Sequence, residues 1–316
     1  MLRLIVLCGG RSEEREVSLR SGAAVAEALA SDRRAGDRIV RTVDPAVVDL
    51  ASYPFEPGTV CVNVLHGAFG EDGRLQRLLA DRGVPVTGCE ADASALTFSK
   101  SATRRRLRTA GLPIPDGETV AADAPLPASL AYPLVVKPDR SGSSVGLHLV
   151  RGPGEWSEAV TEAARHDRGD PEATDDDGRV VVEELLDGRE WTVSVLGREP
   201  LPPIEVRSPR PLFDARAKYA DDATSFLPIN PERTDARQMQ SLAVAAAEAC
   251  RTQGLVRVDL RAPRRDETDL RVLEINTAPG MTERSLSPLA AMAAGMSLAE
   301  LVDWMVRDVQ RRARET

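Results

Sequence analysis

The hydrophobic positions of the first 90 residues predict strands that alternate with helices. An apolar run over 2–7 precedes the turn Gly9-Gly10 and a helix of small residues over about 18–30. A second apolar run, 60–65, is followed by leucines at helical spacing. Because strands that alternate with helices usually pair in one direction, this part of the chain is predicted to form a parallel α/β layer.

The pattern changes after residue 99. A basic helix over 100–110 leads into a Pro-rich segment, 112–133, that is predicted to connect two domains. The very polar segment 166–179 predicts a mobile surface loop among strands of an antiparallel kind. The other predicted elements are strands over 133–137, 147–150, 180–186, 191–196 and 201–206, helices over 154–164 and 235–252, and a final helix with the capping box Ser297 and Glu300. The chain is therefore expected to combine α/β and α+β architecture.

Composition narrows the classes of function. The chain has 316 residues, of which 42% are hydrophobic, and a formal net charge of -8 at pH 7. This acidic balance argues against nucleic acid or an anionic membrane as the main partner. No apolar stretch reaches the ~18 residues of a membrane span, and the start of the chain is too charged for a signal peptide, so a cytoplasmic protein is expected. The four cysteines form no CxxC pair, which indicates neither a zinc site nor a disulfide framework.

Two strands late in the chain carry polar side chains suited to a metal. If 255–260 pairs with 272–276, alternation brings Asp259, Glu274 and Asn276 together with a guanidinium, that of Arg257. Carboxylate and amide oxygens suit Mg²⁺, which is usually shared with nucleotide phosphates. The polar face of a solvent-exposed hairpin would show the same alternation. The residues predicted to lie on the opposite face are Val256, Val258, Leu260, Leu273 and Ile275.

A lysine beside a Gly/Ser loop forms a second candidate site. Lys137 ends an apolar strand next to the loop 139–146, which contains Gly142, Ser143 and Ser144. The amides and hydroxyls of such a loop can enclose a triphosphate whose charge the ammonium meets. A tight hairpin explains the loop equally well, and neither a P-loop nor a dinucleotide fingerprint occurs. Together with the metal-suited strands, the loop predicts a nucleotide held between two domains.

A third segment, 182–190, carries several carboxylates after an apolar strand. The backbone of an extended segment can bond an adenine edge, and a later carboxylate can accept hydrogen bonds from ribose hydroxyls. Taken alone, the segment is more simply interpreted as an exposed turn.

Six segments, in this order, resemble the D-alanine-D-alanine ligases of the ATP-grasp superfamily. They are GGRSEEREVSLRSG (9–22), LHGAFGEDGRLQ (65–76), VVKPDRSGSSVG (135–146), FDARAKY (213–219), RVDL (257–260) and LEINTAPGMTERSLSP (273–288). The resemblance extends from about residue 4 to about residue 306. It implies a three-domain ATP-grasp fold: an N-terminal α/β substrate domain (1–95), then two α+β domains that clasp ATP, one with the Gly/Ser loop (96–186) and one with a lid and the Mg²⁺ site (187–316).

The same resemblance implies a function. It is the ATP-dependent ligation of two D-alanines to D-alanyl-D-alanine, through a D-alanyl phosphate, for peptidoglycan precursor synthesis. ATP is the co-substrate, two Mg²⁺ ions are the cofactor with Mn²⁺ as a substitute, and the expected assembly is a homodimer.

Catalytic roles follow residue by residue from the resemblance. Glu14 matches the residue that binds the ammonium of the first D-alanine, with Ser143 and Tyr219 as its partners in a triad that closes the site. Arg257 and the amide of Gly280 match the pair that stabilises the oxyanion.

The remaining matched residues bind substrates and metal. His66 is expected near the first D-alanine, and Ser285 with Leu286 at the carboxylate of the second. The metal ligands are expected to be Asp259, Glu274 and Asn276. The expected ATP contacts are Lys100 and Lys137 at the phosphates, Lys218 at the γ-phosphate, Glu183 at the adenine, Glu190 at the ribose, and Ser144 and Leu186 at ATP with no atom specified.

Some positions depart from the family pattern. Ala215 and Arg216 stand in the lid where an aromatic and a glutamate are more usual, and Glu283-Arg284 replaces a histidine-containing form. Tyr219 favours an amine over a hydroxy acid as the second substrate. Two alternatives therefore stay open: an ATP-grasp ligase of a secondary pathway with another amino-acid specificity, and a catalytically inactive nucleotide-binding regulator.

Overall fold

The computed structural model describes residues 2–32, 38–142, 145–167, 178–209 and 223–315. Three sheets divide these residues in chain order: the first ends at Asn63, the second spans 117–184, and the third begins at Glu190. An α/β layer is thus followed by two α+β parts. The predicted domain boundaries at 95 and 186 stay a prediction.

The first sheet is parallel, as predicted, with the order β2-β1-β3. Its elements are β1 (Leu2–Leu7), α1 (Arg15–Ser31), β2 (Arg38–Val43), β3 (Thr59–Asn63) and α2 (Arg74–Asp81). Both faces of β1 are buried, since Leu4 joins a core cluster with Val25 of α1 and Ile5 joins another on the opposite face. Parallel strands end at one edge, so the segments that follow β1 and β3 meet there, and the Ser12 hydroxyl donates to the His66 carbonyl oxygen at 2.7 Å.

Two helices lead to the second sheet: α3 (Ala91–Phe98) and α4 (Lys100–Thr109). Ser99 caps α4, because its hydroxyl oxygen accepts the amide hydrogen of Ala102 at 3.2 Å. The predicted basic helix is confirmed. Its buried Leu107 packs in the core of the third sheet, which ties α4 to that sheet as well.

The second sheet is antiparallel and has the order β4-β7-β5-β6. Its elements are β4 (Gly117–Val120), β5 (Leu134–Pro138), β6 (His148–Val150), α5 (Pro153–Asp167) and β7 (Val180–Glu184). Helix α5 covers one face, where Trp156 and Val160 pack with Leu134. The hairpin β5-β6 carries the Gly/Ser loop at its turn, as predicted.

Two predictions fail around this sheet. The segment 112–133 is more than a connection, because β4 lies within it and pairs with β7. This short edge strand is largely exposed and so carries no apolar run that could reveal it. The surface loop predicted over 166–179 begins too early, because α5 continues to the buried Asp167. The rest of that loop, 168–177, lies outside the described residues.

The third sheet has the order β11-β10-β8-β12-β13, with β9 paired to β8. Its elements are β8 (Glu190–Leu196), β9 (Glu199–Pro200), β10 (Ile204–Arg207), β11 (Ser225–Pro228), α6 (Thr234–Ala249), β12 (Leu255–Arg261), β13 (Arg271–Asn276), α7 (Leu286–Ala293) and α8 (Leu298–Glu315). Helix α6 packs Met239 and Ala243 with Val258 on one face. The capping box of α8 is confirmed, since the Glu300 amide donates to the Ser297 hydroxyl at 3.3 Å and the Ser297 amide to Glu300 Oε2 at 2.8 Å.

Helix α8 joins the third sheet to the first, because Leu301 and Val302 share one core cluster with Leu4 of β1. Taken singly, no helix in the described ranges is long and apolar enough to cross a membrane, although α7 and α8, bent by 100° relative to each other, pass that test as a pair.

Candidate active site

Two adjoining cavities collect most of the predicted site residues. The sheet cavity lies between the second and third sheets, and the loop cavity lies between the loops of the first sheet and β13. The predicted residues on the sheet cavity are Lys100, Lys137, Glu183, Leu186, Glu190, Asp259 and Glu274. Those on the loop cavity are Glu14, His66, Lys100, Arg257, Glu274, Asn276 and Gly280. Lys100 and Glu274 line both, so the two cavities meet at these side chains.

The strands β12 and β13 pair as predicted. Asp259 lies directly opposite Glu274, and Arg257 opposite Asn276. Arg257 is 8% exposed and Asp259 7%, so the interpretation as the solvent face of a hairpin is wrong. A fork of two hydrogen bonds joins them, from Arg257 Nε to Asp259 Oδ1 at 2.8 Å and from Nη2 to Oδ2 at 2.7 Å.

The alternation along β13 is not regular. Its register with β12 shifts between Asp259 and Leu260, which marks a β-bulge, so Val272 and Ile275 both enter the core. Leu273 consequently lines the sheet cavity together with Glu274, and the prediction that it lies on the opposite face is wrong. Regular alternation would separate core residues by two positions, whereas Val272 and Ile275 are three positions apart, and this spacing is the sequence signal of the bulge.

The donors at this strand pair fit a hard divalent cation. Asp259, Glu274 and Asn276 offer two carboxylates and one amide oxygen, the ligand types that Mg²⁺ prefers. Asp259 accepts from Arg257, and Asn276 Oδ1 accepts the Ala278 amide hydrogen at 2.9 Å, so both are already oriented. Within the described ranges no cluster of three or more His, Cys, Asp or Glu side chains suited to a metal occurs, so a site here depends on the amide of Asn276.

Lys137 and Glu183 form a buried ion pair on the sheet cavity. Lys137 Nζ lies 2.6 Å from Glu183 Oε2, and Arg104 Nη1 donates to the other carboxylate oxygen. Glu183 is 3% exposed and belongs to β7, so the start of the segment 182–190 is not an exposed turn, whereas Asp187 and Arg189 further along it are exposed. Because both oxygens of Glu183 already accept from cations, an adenine would meet the backbone of this segment rather than the carboxylate. Glu190, the expected ribose contact, lies 3.5 Å from Arg261 Nη1.

Lys100 is fixed against the Gly/Ser loop. Its ammonium donates to the Ser141 carbonyl oxygen at 2.6 Å. The buried Asp139 carboxylate accepts from the Ser101 amide at 2.6 Å and from the Ser99 hydroxyl at 2.8 Å, which joins the start of α4 to the loop. Asp167 accepts the Arg140 amide hydrogen at 2.6 Å. The sequence analysis assigned no role to either aspartate, since no local pattern shows which amides they reach.

Glu14 packs against the Gly/Ser loop. A side-chain carbon at Gly142 would overlap Glu14 Oε2, and one at Gly67 would come within 2.8 Å of it. Only glycine allows so close an approach of backbone to carboxylate. Glu14 is thus in contact with Gly142, the neighbour in sequence of Ser143, which is the predicted partner of Glu14. A larger cavity of about 640 Å³ borders the other side of Glu14, but it contains none of the other predicted site residues in the described part of the chain.

His66 is buried on the loop cavity beside a carboxyl group that the sequence analysis did not single out. Its Nδ1 lies 2.9 Å from the Ala278 carbonyl oxygen and 3.8 Å from Glu71 Oε1. Burial lowers the pKa of His66, but the carboxylates of Glu71 and Glu14 outweigh it, so the pKa of His66 is raised. Burial also raises the pKa of Glu71. The pair therefore retains a proton to a higher pH than a free imidazole would.

The Glu71→Gln variant is expected to have a lower pKa of His66 than the unmodified protein, because burial remains while one of the two attracting carboxylates is lost. Histidine-ring NMR titration measures this, and the chain has only three histidines to assign. His148, whose pKa is lowered by burial, serves as the internal control and should not move. An unchanged pKa of His66 in the variant would contradict the coupling.

Gly280 lies on the loop cavity, but Ser285 and Leu286 do not line either cavity. The Ser285 hydroxyl accepts the Thr282 amide hydrogen at 3.0 Å and lies close enough to Gly280 that a side-chain carbon there would come within 2.8 Å. The Leu286 side chain is buried in the core, so only its backbone amide, in the first turn of α7, can meet a ligand.

Four predicted site residues lie outside the described residues: Ser143, Ser144, Lys218 and Tyr219. Ala215 and Arg216 of the expected lid lie outside them too.

Comparisons with known proteins identify relatives of this chain. A family model described as D-ala D-ala ligase C-terminus matches residues 116–307. The chain is 39% identical over 314 residues to the D-alanine--D-alanine ligase of Actinobacillus succinogenes, which covers 95% of each chain.

Solved structures are similar over the whole chain. A D-alanine--D-alanine ligase from Bacillus anthracis superimposes with a TM-score of 0.82 at 29% identity and covers 100% of this chain and 99% of that one. A structure of the ligase from this organism complexed with ATP gives a TM-score of 0.77 at 26% identity with the same coverage. These likenesses confirm the ATP-grasp fold class predicted from the motifs. With a family model over more than half of its length and a relative 39% identical across 95% of it, the chain belongs to the D-alanine-D-alanine ligase family.

Proposed function

We propose that this chain uses ATP to join two D-alanines into D-alanyl-D-alanine, through a D-alanyl phosphate, for peptidoglycan precursor synthesis. The observation that carries the proposal is the junction of the two cavities at Lys100 and Glu274. There, cationic and acidic groups suited to a triphosphate adjoin a second cavity that carries Glu14 and Arg257, which suit the ammonium and carboxylate of an amino acid.

The first step activates a carboxylate, which is a poor acylating agent because its leaving group would be oxide. Glu14 holds the ammonium of the first D-alanine in the loop cavity, so that its carboxylate points towards the junction. Lys100 and Lys137 orient the phosphates on the sheet cavity for in-line transfer. Asp259, Glu274 and Asn276 would hold two Mg²⁺ ions, whose charge would neutralise that of the phosphates.

The second step is attack by the amine of the second D-alanine on the acyl phosphate. Ser285 and the Leu286 amide hold its carboxylate. Arg257 and the Gly280 amide donate to the tetrahedral oxyanion. Because an acyl phosphate hydrolyses, the segment 213–219 is proposed to exclude water, with Lys218 at the γ-phosphate and Tyr219 meeting Glu14 and Ser143.

Other features of the enzyme remain proposals from the family. The assembly is proposed to be a homodimer, and the location the cytoplasm, where the co-substrate ATP is available. Ser144, Leu186, Glu183 and Glu190 are proposed to contact the nucleotide, the last at its ribose. His66 is proposed to lie beside the first D-alanine.

Phosphate release tests the function. We expect ATP hydrolysis to ADP and phosphate to depend on D-alanine, with D-alanyl-D-alanine as the product, and L-alanine or D-lactate to support little release. Release with a different amino-acid pair would favour the secondary-pathway ligase. The departures from the family pattern at Ala215 and Arg216 are the reason to consider this alternative. ATP binding without any amino-acid-dependent release of ADP would favour the inactive regulator.

A further inference from the structure

A buried cluster of three charges lies behind the wall of the sheet cavity. Glu183 of β7 accepts from Lys137 of β5 at 2.6 Å and from Arg104 of α4. All three side chains are at least nine-tenths buried, with exposures of 3%, 7% and 6% for Glu183, Lys137 and Arg104. Lys137 and Glu183 line the cavity, whereas Arg104 approaches from the protein interior.

Arg104 is closely enclosed. Its Nη2 donates to the Pro115 carbonyl oxygen at 3.0 Å, and a side-chain carbon at Gly117 would come within 2.9 Å of the same nitrogen. It stands four residues after Lys100 on α4, so both project from one face of the helix. The exposed Arg105 beside it projects elsewhere.

The charges in the cluster do not cancel. Two cations and one carboxylate leave one positive charge, which is costly to bury unless a further anion meets it. With Lys137 and Glu183 alone, the carboxylate would neutralise the ammonium. Arg104 binds one oxygen of Glu183 and neutralises its charge. Lys137, the cation of this cluster that lines the cavity, therefore keeps its positive charge uncompensated.

We propose that Arg104 is a positioning residue for the co-substrate: it neutralises Glu183 and so leaves the charge of Lys137 to the phosphates of the nucleotide. The inference rests on the proposed function. Arg104 itself lines neither cavity in the described part of the chain, so it acts on the ligand through Lys137. The inference therefore concerns the anionic part of the ligand, which Lys137 meets.

The test measures binding of a non-hydrolysable ATP analogue and of adenosine by calorimetry. In the Arg104→Met variant we expect the analogue to bind at least about tenfold more weakly, while the affinity for adenosine changes by less than about twofold. The KM for ATP should rise in parallel and the KM for D-alanine should not. Arg104→Lys, which keeps the charge, should recover most of the affinity.

Arg105→Met is the matched control, since it removes the same charge from an exposed position on the same helix. It should bind both ligands as the unmodified enzyme does. Equal weakening of both ligands in Arg104→Met would show a merely structural role and overturn the inference, as would unchanged binding of the analogue. If Arg104→Met does not fold, Arg104→Lys is the test. A loss of analogue affinity of about tenfold in this variant, which retains the charge, would also overturn the inference. Failure of the unmodified enzyme to bind the analogue would instead contradict the proposed function.

Discussion

Asp259→Asn is expected to lower kcat/KM by about a thousandfold, a loss of about 4 kcal/mol of transition-state stabilisation. Asparagine keeps an acceptor for Arg257 but removes the negative charge that a hard divalent cation requires. The fold should persist, because Arg257 retains one hydrogen bond to the side chain at position 259 and Glu274 of β13 still lies opposite that position. Steady-state phosphate release and circular dichroism measure the two properties.

Mn²⁺ titration followed by electron paramagnetic resonance separates the metal role from other causes. The affinity for Mn²⁺ in the presence of an ATP analogue should fall with activity in Asp259→Asn. Asp266→Asn provides the matched control, as Asp266 is exposed on the loop between β12 and β13 and its carboxylate bonds to the nearby Thr268. Unchanged turnover, or unchanged Mn²⁺ affinity with lost turnover, would remove the proposed metal role.

Arg257→Lys is expected to lower kcat by about 10²- to 10³-fold while the KM for ATP stays within about twofold. The guanidinium of Arg257 lines the loop cavity and donates two hydrogen bonds to Asp259. Lysine keeps the positive charge but cannot donate this parallel pair of hydrogen bonds. Rapid-quench measurement of acyl phosphate formation and dipeptide formation should place the loss in the second step.

Arg198→Lys is the control for this substitution, because the side chain of Arg198 is 82% exposed and lines neither cavity. Because Arg257 and Asp259 are in contact, the effects of Asp259→Asn and Arg257→Lys should not add, and the double variant should be less impaired than their product. A fall in the rate of acyl phosphate formation alone would contradict the assignment of Arg257 to the oxyanion.

Local patterns predicted much of the site. The alternation in 255–260 placed Arg257 and Asp259 on one face of β12, and the structure confirms that face. The same rule failed at Leu273, because regular alternation assumes one residue per partner and a bulge inserts an extra one. The edge strand β4 escaped prediction, since an exposed strand of four residues has no hydrophobic signature.

Groups that act through distant partners could not be predicted. Nothing near Glu71 in the sequence shows that it lies 3.8 Å from the ring of His66, or that burial shifts its pKa. Asp139 and Arg104 are likewise ordinary charged residues until α4 is placed against the Gly/Ser loop and β7.

The sequence by itself determined much of the order of strands and helices, the family and the kinds of chemical group available, because periodicity, caps and motifs act over a few neighbouring residues. Only the tertiary structure decided which charges are paired, which are buried and which face a cavity. Those properties depend on contacts between residues as far apart as 14 and 142 or 104 and 183, where both the dielectric environment and the partner are set by packing.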